Sequence, residues 1–225
     1  MDQSLRAVIF DLDGTLADTF PLIVAAWNAA VREPLGRAFA PEEVIARFGV
    51  PDSAMLRRAL PAAAWERAIK TYHEYYEAEH EIVAPFPGVP EMLEALLQCG
   101  LPLGLMTGKG RPAAHITLRK LGWAGMFSSV VTGEDVSRQK PAPEGIRLVA
   151  EQLGATAEYC IYVGDMPGDI EAGRAAGMIT VAAGWHGYYQ DRLRLSTPDH
   201  WAEHPADIVH LCRALGRSTA PVRAA

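Results

Sequence analysis

The sequence predicts an α/β fold: a parallel sheet with helices on both faces and a small all-helical unit inserted after the first strand. Three observations carry this. From Gly88 onward, short apolar runs alternate with amphipathic stretches. Residues 17–84 show helical spacing with no strand among them. The chain opens on an apolar run, Ala7-Val8-Ile9-Phe10, that passes straight into Asp11-Leu12-Asp13-Gly14-Thr15. Strands joined by helices pair in parallel through right-handed crossovers.

The first strand is expected over residues 7–10, with Gly14 marking the turn that ends it. Pro21 suits a first helical turn, and Leu22, Ile23, Ala26, Trp27, Ala30 and Val31 recur at helical spacing until Pro34-Leu35-Gly36. A second helix begins at Pro41-Glu42-Glu43, with acids in its first turn, and closes at Phe48-Gly49. A short third runs from Ser53 to Leu60, and Trp65, Ile69, Tyr72 and Tyr76 mark a fourth. Pro85-Phe86-Pro87-Gly88 is the clearest break, a stiff linker or hinge. Beyond it, a helix over Met92–Leu97 is capped by Gly100, and strand Leu103–Met106 ends at Thr107-Gly108-Lys109-Gly110. Helix Pro112–Leu121, strand Ser129–Thr132, helix Pro143–Leu153, strand Tyr159–Val163, helix Gly168–Ala176 and strand Ile179–Ala182 follow. A short element near Trp201 and a helix over Pro205–Leu215 complete the pattern. The breaks divide the chain into a core over 1–16 and 86–215, a helical unit over 17–85, and a loose tail over 216–225.

A chain of 225 residues is long enough to bury a core of good size. The net charge of −6, with no long basic run, argues against a nucleic-acid partner. No apolar run approaches membrane-spanning length, and the first strand begins too early to leave room for a signal peptide. Cys99, Cys160 and Cys212 are scattered and odd in number, as expected of reduced thiols in a cytoplasmic protein.

Polar residues collect in four loops: Asp11-Leu12-Asp13-Gly14-Thr15, Thr107-Gly108-Lys109, Lys140-Pro141 and Gly164-Asp165-Met166-Pro167-Gly168-Asp169. In a parallel sheet such loops converge at one edge. Asp11 and Asp13 repel unless a cation lies between them or one holds a proton, so divalent-metal and acid/base chemistry fits them. Mg²⁺ takes oxygen ligands and often shares them with substrate phosphate. A lysine and exposed backbone N–H groups suit phosphate oxygens. The set points to phosphoryl transfer. Two other patterns are rejected. Gly104–Gly110 looks like a nucleotide-binding phosphate loop, but it is one residue short and lacks the Ser or Thr after its lysine. His200 and His204 have helix spacing for zinc but no third ligand. Trp65, Tyr72 and Tyr76 are expected to pack helices rather than stack on a substrate.

Taken in order, Asp11-x-Asp13-Gly14-Thr15, Thr107, Lys140-Pro141 and Gly164-Asp165-x-x-x-Asp169 resemble the four signature motifs of the haloacid dehalogenase superfamily. The helical insert, together with Thr107-Gly108-Lys109 and Lys140-Pro141-x-Pro143, is similar to the phosphoglycolate phosphatase-like branch. The resemblance implies a Rossmann-like core with a helical cap, and a phosphatase acting on a small phosphorylated metabolite, as monomer or homodimer. It implies Asp11 as nucleophile and Asp13 as general acid and base, which must hold a proton at the first step. Mg²⁺ would be held by Asp11, Asp13 (through its carbonyl) and Asp165, with Asp169 supporting that shell or Lys140. Thr107, Lys140 and backbone N–H groups near Leu12 and Gly108 would hold the phosphoryl oxygens. An acid at position 13 favours phosphate over halide, whose departure needs no proton.

Met166 stands where many relatives have Ser or Thr, and Pro51-Asp52 stands where the sugar-phosphate mutase branch often has Ser-Arg. Substrate choice is expected in the cap, at Arg47 and Gly49 in the loop Arg47–Pro51. Trp185-His186-Gly187-Tyr188 either lines the site or forms a surface loop. Two other activities remain open: a phosphotransferase, mutase or pyrophosphatase, and a receiver-like module that accepts phosphate without turnover.

Overall fold

The computed structural model describes residues 5–187 and 190–216. Among them, six strands form one parallel sheet in the order β3-β2-β1-β4-β5-β6. They are β1 (Ala7–Phe10), β2 (Leu103–Met106), β3 (Ser129–Val131), β4 (Cys160–Gly164), β5 (Ile179–Ala183) and β6 (His200–Ala202). From β1 the chain builds outward through β2 and β3, then returns to the other side of β1 and builds outward through β4, β5 and β6. The reversal falls at β1, so the crevice where parallel sheets bind ligands opens at its carboxyl end, where Asp11 begins.

The alternation of a strand explains the two cores. Val8 and Phe10 join one apolar cluster with residues of α5 (Val89–Gln98), α6 (Arg111–Lys120) and α10 (Pro205–Gly216). Ala7 and Ile9 join another, with Ile146 and Val149 of α7 (Glu144–Gln152) and Ala172 of α8 (Pro167–Ala176). Both faces are covered, so β1 is apolar throughout.

Between β1 and α5 lie α1 (Phe20–Leu35), α2 (Pro41–Ile45), α3 (Asp52–Ala59) and α4 (Trp65–Ala78). On α1 the buried residues include Leu22, Ile23, Ala26, Trp27, Ala30 and Val31, the stripe that the spacing predicts. The two stretches that connect these helices to the sheet run side by side. Asp18 donates to the carbonyl of Ala84 at 3.2 Å, and Phe86 donates to that of Leu16 at 3.1 Å.

α1 ends at Pro34-Leu35-Gly36 as expected, with Gly36 as its left-handed cap and Pro34 in the last turn. The differences from expectation are local. The second helix stops at Ile45, short of Phe48. An unforeseen helix, α9 (Gln190–Leu195), lies before β6. His200 is in β6 and His204 precedes α10, so they do not share a helix face. The tail expected over 216–225 lies, beyond Gly216, outside the described residues. Among the described residues no helix is long and apolar enough to cross a membrane.

Candidate active site

Asp11 follows β1 directly and its amide donates to the carbonyl of Val163 in β4 at 2.9 Å, so the sheet itself fixes its position. Asp165 follows β4, the neighbouring strand, and Asp169 sits in the first turn of α8. Carboxylate oxygens of Asp11, Asp165 and Asp169 lie within 4.8 Å of one another, all three residues buried. Burial, opposed by Lys140 and reinforced by Asp169, Asp165 and Asp13, raises the Asp11 carboxyl well above the ordinary range. Asp165 is likewise raised, chiefly by burial.

Lys140 is the internal counter-ion. Its Nζ lies 2.6 Å from Asp169 Oδ1 and 3.0 Å from Asp11 Oδ1, and donates to the Tyr162 hydroxyl at 3.2 Å. Burial works against the Lys140 charge, but Asp11 and Asp169 outweigh it and push its pKa above 10.5. Lys140 lies close to Asp11 Oδ1 without the alignment of a hydrogen bond, so that buried oxygen makes none. One ammonium against three carboxylates leaves the site short of positive charge. All-oxygen donors, an unsatisfied buried oxygen and excess negative charge fit a hard divalent cation.

The first loop is shaped by this crowding. Gly14 has φ +82, a region that side chains avoid, and a Cβ there would lie 2.3 Å from Asp165 Oδ2. Thr15 donates its hydroxyl to Asp165 Oδ1 at 2.8 Å, and His186 Nδ1 is 3.2 Å from Oδ2. Trp185 Nε1 donates to the Thr15 carbonyl at 2.9 Å. The stretch left open between site and surface therefore reaches the site through Trp185 and His186; Tyr188 lies outside the described residues.

The Asp13 carboxylate is not in the three-carboxylate group. Its Oδ1 accepts from Lys109 Nζ at 2.9 Å and from the Thr19 hydroxyl at 2.5 Å. Lys109 is almost wholly buried, with its ammonium 4.8 Å from the centre of the Tyr76 ring. Thr107 follows β2 directly, buried, and its hydroxyl accepts the Lys109 N–H at 3.2 Å. The Leu12 side chain is fully buried in the core, so only its backbone faces the loop.

These residues floor a cavity of about 90 Å³, whose lining includes Asp11, Asp13, Thr107, Gly108, Lys109, Lys140 and Met166. Its other wall is apolar but for Asp52: Phe20, Ile23, Phe48, Gly49, Val50, Met55 and Tyr72. Of the two cap residues predicted from sequence, Gly49 lines the cavity and Arg47 does not. The Arg47 guanidinium lies over the Phe39 ring at 5.0 Å and donates to the Glu43 carbonyl. Tyr72, expected only to pack, both packs on Tyr76 and lines the cavity.

Sequence reasoning passed over Asp52. It opens α3 and accepts from the Gly110 N–H at 2.9 Å and from His73 Nε2 at 2.6 Å. Burial raises its pKa, but the hydrogen bond and charge of His73, with Lys109 and the Gly110 N–H, bring it below the ordinary value. Gly110 is needed there, since a Cβ would sit 2.5 Å from Asp52 Oδ1. Lys109 was visible as the lysine two residues past Thr107 in one of the four polar loops, but was given no role of its own.

Comparison with known proteins agrees with this geometry. The family model for haloacid dehalogenase-like hydrolases matches residues 8–183. The chain is 36% identical to the phosphoglycolate phosphatase of Salmonella typhi, with 88% of each chain covered. It is 33% identical to the pyrophosphatase PpaX of Oceanobacillus iheyensis, with 92% of this chain and 96% of that one covered. The crystal structure of a predicted phosphoglycolate phosphatase from Haemophilus somnus 129pt superposes with a TM-score of 0.83 at 26% identity, covering 94% of this chain and 99% of that one. The parallel sheet reversing at β1, the acids after it, and a family match through most of the chain agree: this protein belongs to the haloacid dehalogenase-like hydrolases, as a phosphatase of that family.

Proposed function

We propose that this protein is a Mg²⁺-dependent phosphatase that hydrolyses a small phosphomonoester, 2-phosphoglycolate before others, through a phosphorylated Asp11. The observation that carries the reading is the placing of Asp11: at the reversal of the sheet, 3.0 Å from Lys140 and grouped with Asp165 and Asp169.

A carboxylate oxygen of Asp11 attacks phosphorus, the bond from phosphorus to the ester oxygen breaks, and that oxygen takes a proton from Asp13. Water then attacks the phosphorylated Asp11 and gives its proton back to Asp13, releasing phosphate and restoring both acids. Lys140, the Thr107 hydroxyl and the backbone N–H groups of Leu12 and Gly108 would hold the phosphoryl oxygens. In a loose transition state, positioning and charge neutralisation supply most of the rate. Asp11, Asp165 and the Asp13 carbonyl would hold the metal, with Asp169 tying Lys140 into place; the ion would offset the charge of the phosphoryl group and the carboxylates. The apolar wall excludes water from the intermediate.

A cavity of about 90 Å³ favours a small substrate. The likeness to a pyrophosphatase gives inorganic pyrophosphate as the second reading. The test is phosphate release from 2-phosphoglycolate, pyrophosphate, sugar phosphates and nucleotides, with Mg²⁺ and with a chelator. Metal-dependent turnover greatest on 2-phosphoglycolate is expected. Greatest turnover on pyrophosphate establishes the second reading, and no release from any of them refutes both.

A further inference from the structure

Among the described residues lining the cavity, two carry positive charge, Lys140 and Lys109. Lys140 is committed to Asp11 and Asp169 at the phosphoryl end. Lys109 is held instead by Asp13, at 2.9 Å. Its ammonium meets Asp13 alone among the carboxylates at ion-pair distance and otherwise faces the Tyr76 ring. It is nevertheless sealed from solvent, with a side chain only 2% exposed. Lysine is almost never buried so completely unless paired, yet its partner here is the residue assigned to meet the ester oxygen. Lys109 and the Thr19 hydroxyl share one oxygen of Asp13, Oδ1. Beyond the phosphoryl end the rest of the wall is apolar apart from Asp52, whose carboxylate is already occupied by His73 and the Gly110 N–H.

We infer that Lys109 determines specificity by binding a second anionic group on the leaving-group side of the substrate, exchanging Asp13 for that anion when the substrate enters. The substrate class is therefore a small phosphate ester or anhydride whose leaving group carries its own negative charge within a few atoms of phosphorus. A carboxylate and a second phosphoryl group share this chemistry. A neutral leaving group of the same size leaves Lys109 on Asp13 and gains no such contact. This inference rests on the phosphatase reading and narrows its substrate.

The experiment compares kcat/KM for 2-phosphoglycolate, pyrophosphate and ethyl phosphate, all with Mg²⁺, in the wild type, Lys109→Met and Lys109→Arg. The wild type is expected to prefer at least one anionic substrate over ethyl phosphate by about 10- to 100-fold, the range of a charge-assisted hydrogen bond. Which of the two it prefers separates carboxylate from phosphoryl recognition. Lys109→Met is expected to collapse that preference mainly through KM, and Lys109→Arg to keep most of it. A loss in Lys109→Met shared equally by anionic and neutral substrates would show that Lys109 only positions Asp13, and would overturn the inference. Equal wild-type turnover of all three would overturn it while leaving the phosphatase reading intact; no turnover of any would overturn both. Should the variants fail to fold, inhibition of the wild type decides: phosphonoacetate must bind about 10-fold or more tighter than ethylphosphonate, and equal binding refutes the inference.

Discussion

Asp165 is held in place against its own electrostatics. It is buried beside Asp11 and Asp169, and the hydrogen bond from Thr15 only partly offsets the cost. Its raised pKa means that the folded, metal-free protein binds more protons than the unfolded chain from the ordinary value of 3.8 upward. Stability contributed by this site is therefore lost, not gained, as pH rises through that window. In chelator, the wild type is expected to lose stability relative to Asp165→Asn as pH rises from about 4 to 7, measured as Tm at each pH. Mg²⁺ should raise the Tm of the wild type and leave Asp165→Asn nearly unmoved, because a ligand that binds only the folded state stabilises it. A Tm shift of equal size in both proteins would place the ion elsewhere. Lys140→Met removes the ammonium that pairs with Asp11 and Asp169 and is expected to cost about 3–5 kcal/mol in denaturant unfolding, less when Mg²⁺ is present.

Among the elements, two loops with no room to spare join sheet and cap. The turn after β1 needs both a positive φ and a bare Cα at Gly14, because Asp165 from the end of β4 occupies the space a side chain would take. Gly14→Ala is expected to cost about 1–3 kcal/mol from backbone strain and to lower kcat by at least about 10-fold through displacement of Asp165. Normal kcat in that variant would mean that the loop relaxes freely. The start of α3 joins the loop after β2 through Asp52 and the Gly110 N–H. Asp52→Ala leaves that N–H without its acceptor and should raise KM more than it lowers kcat; an unchanged KM would deny Asp52 a part in holding the cavity closed.

Elements were legible where periodicity was long and punctuation was clear. The stripe on α1 and the apolar strands β1 and β4 follow directly from residue spacing. α9 was not legible: Gln190–Leu195 has two leucines among charged residues, too short a run to establish a period. Lys109, Asp52 and His186 were hard for a different reason. Each acts through a partner far away in sequence, Asp13, Gly110 and Asp165 respectively, and single-residue chemistry gives no sign of such pairing. Arg47 is the opposite case. A charge in a cap loop suggests substrate contact, but here its guanidinium lies over the rings of Phe39 and Trp27 and it does not line the cavity.

For the whole molecule, the sheet order explains why residues so scattered in sequence form one site. Reversal at β1 brings Asp11, Thr107 and Asp165 to the ends of three adjacent strands, and the helices inserted after β1 close over them with an apolar wall. One apolar cluster runs from Phe10 and Leu12 through Phe20 to Trp27 and Tyr72, so the cap packs continuously on the core. In the proposed mechanism Asp11 is the nucleophile of this assembly. The most direct test is Mg²⁺-dependent phosphate release from 2-phosphoglycolate by Asp11→Asn beside the wild type, with correct folding of the variant checked by its Tm. The account predicts a loss of at least about 1,000-fold in kcat with the fold intact. A folded Asp11→Asn that retains more than about a tenth of wild-type kcat would contradict it.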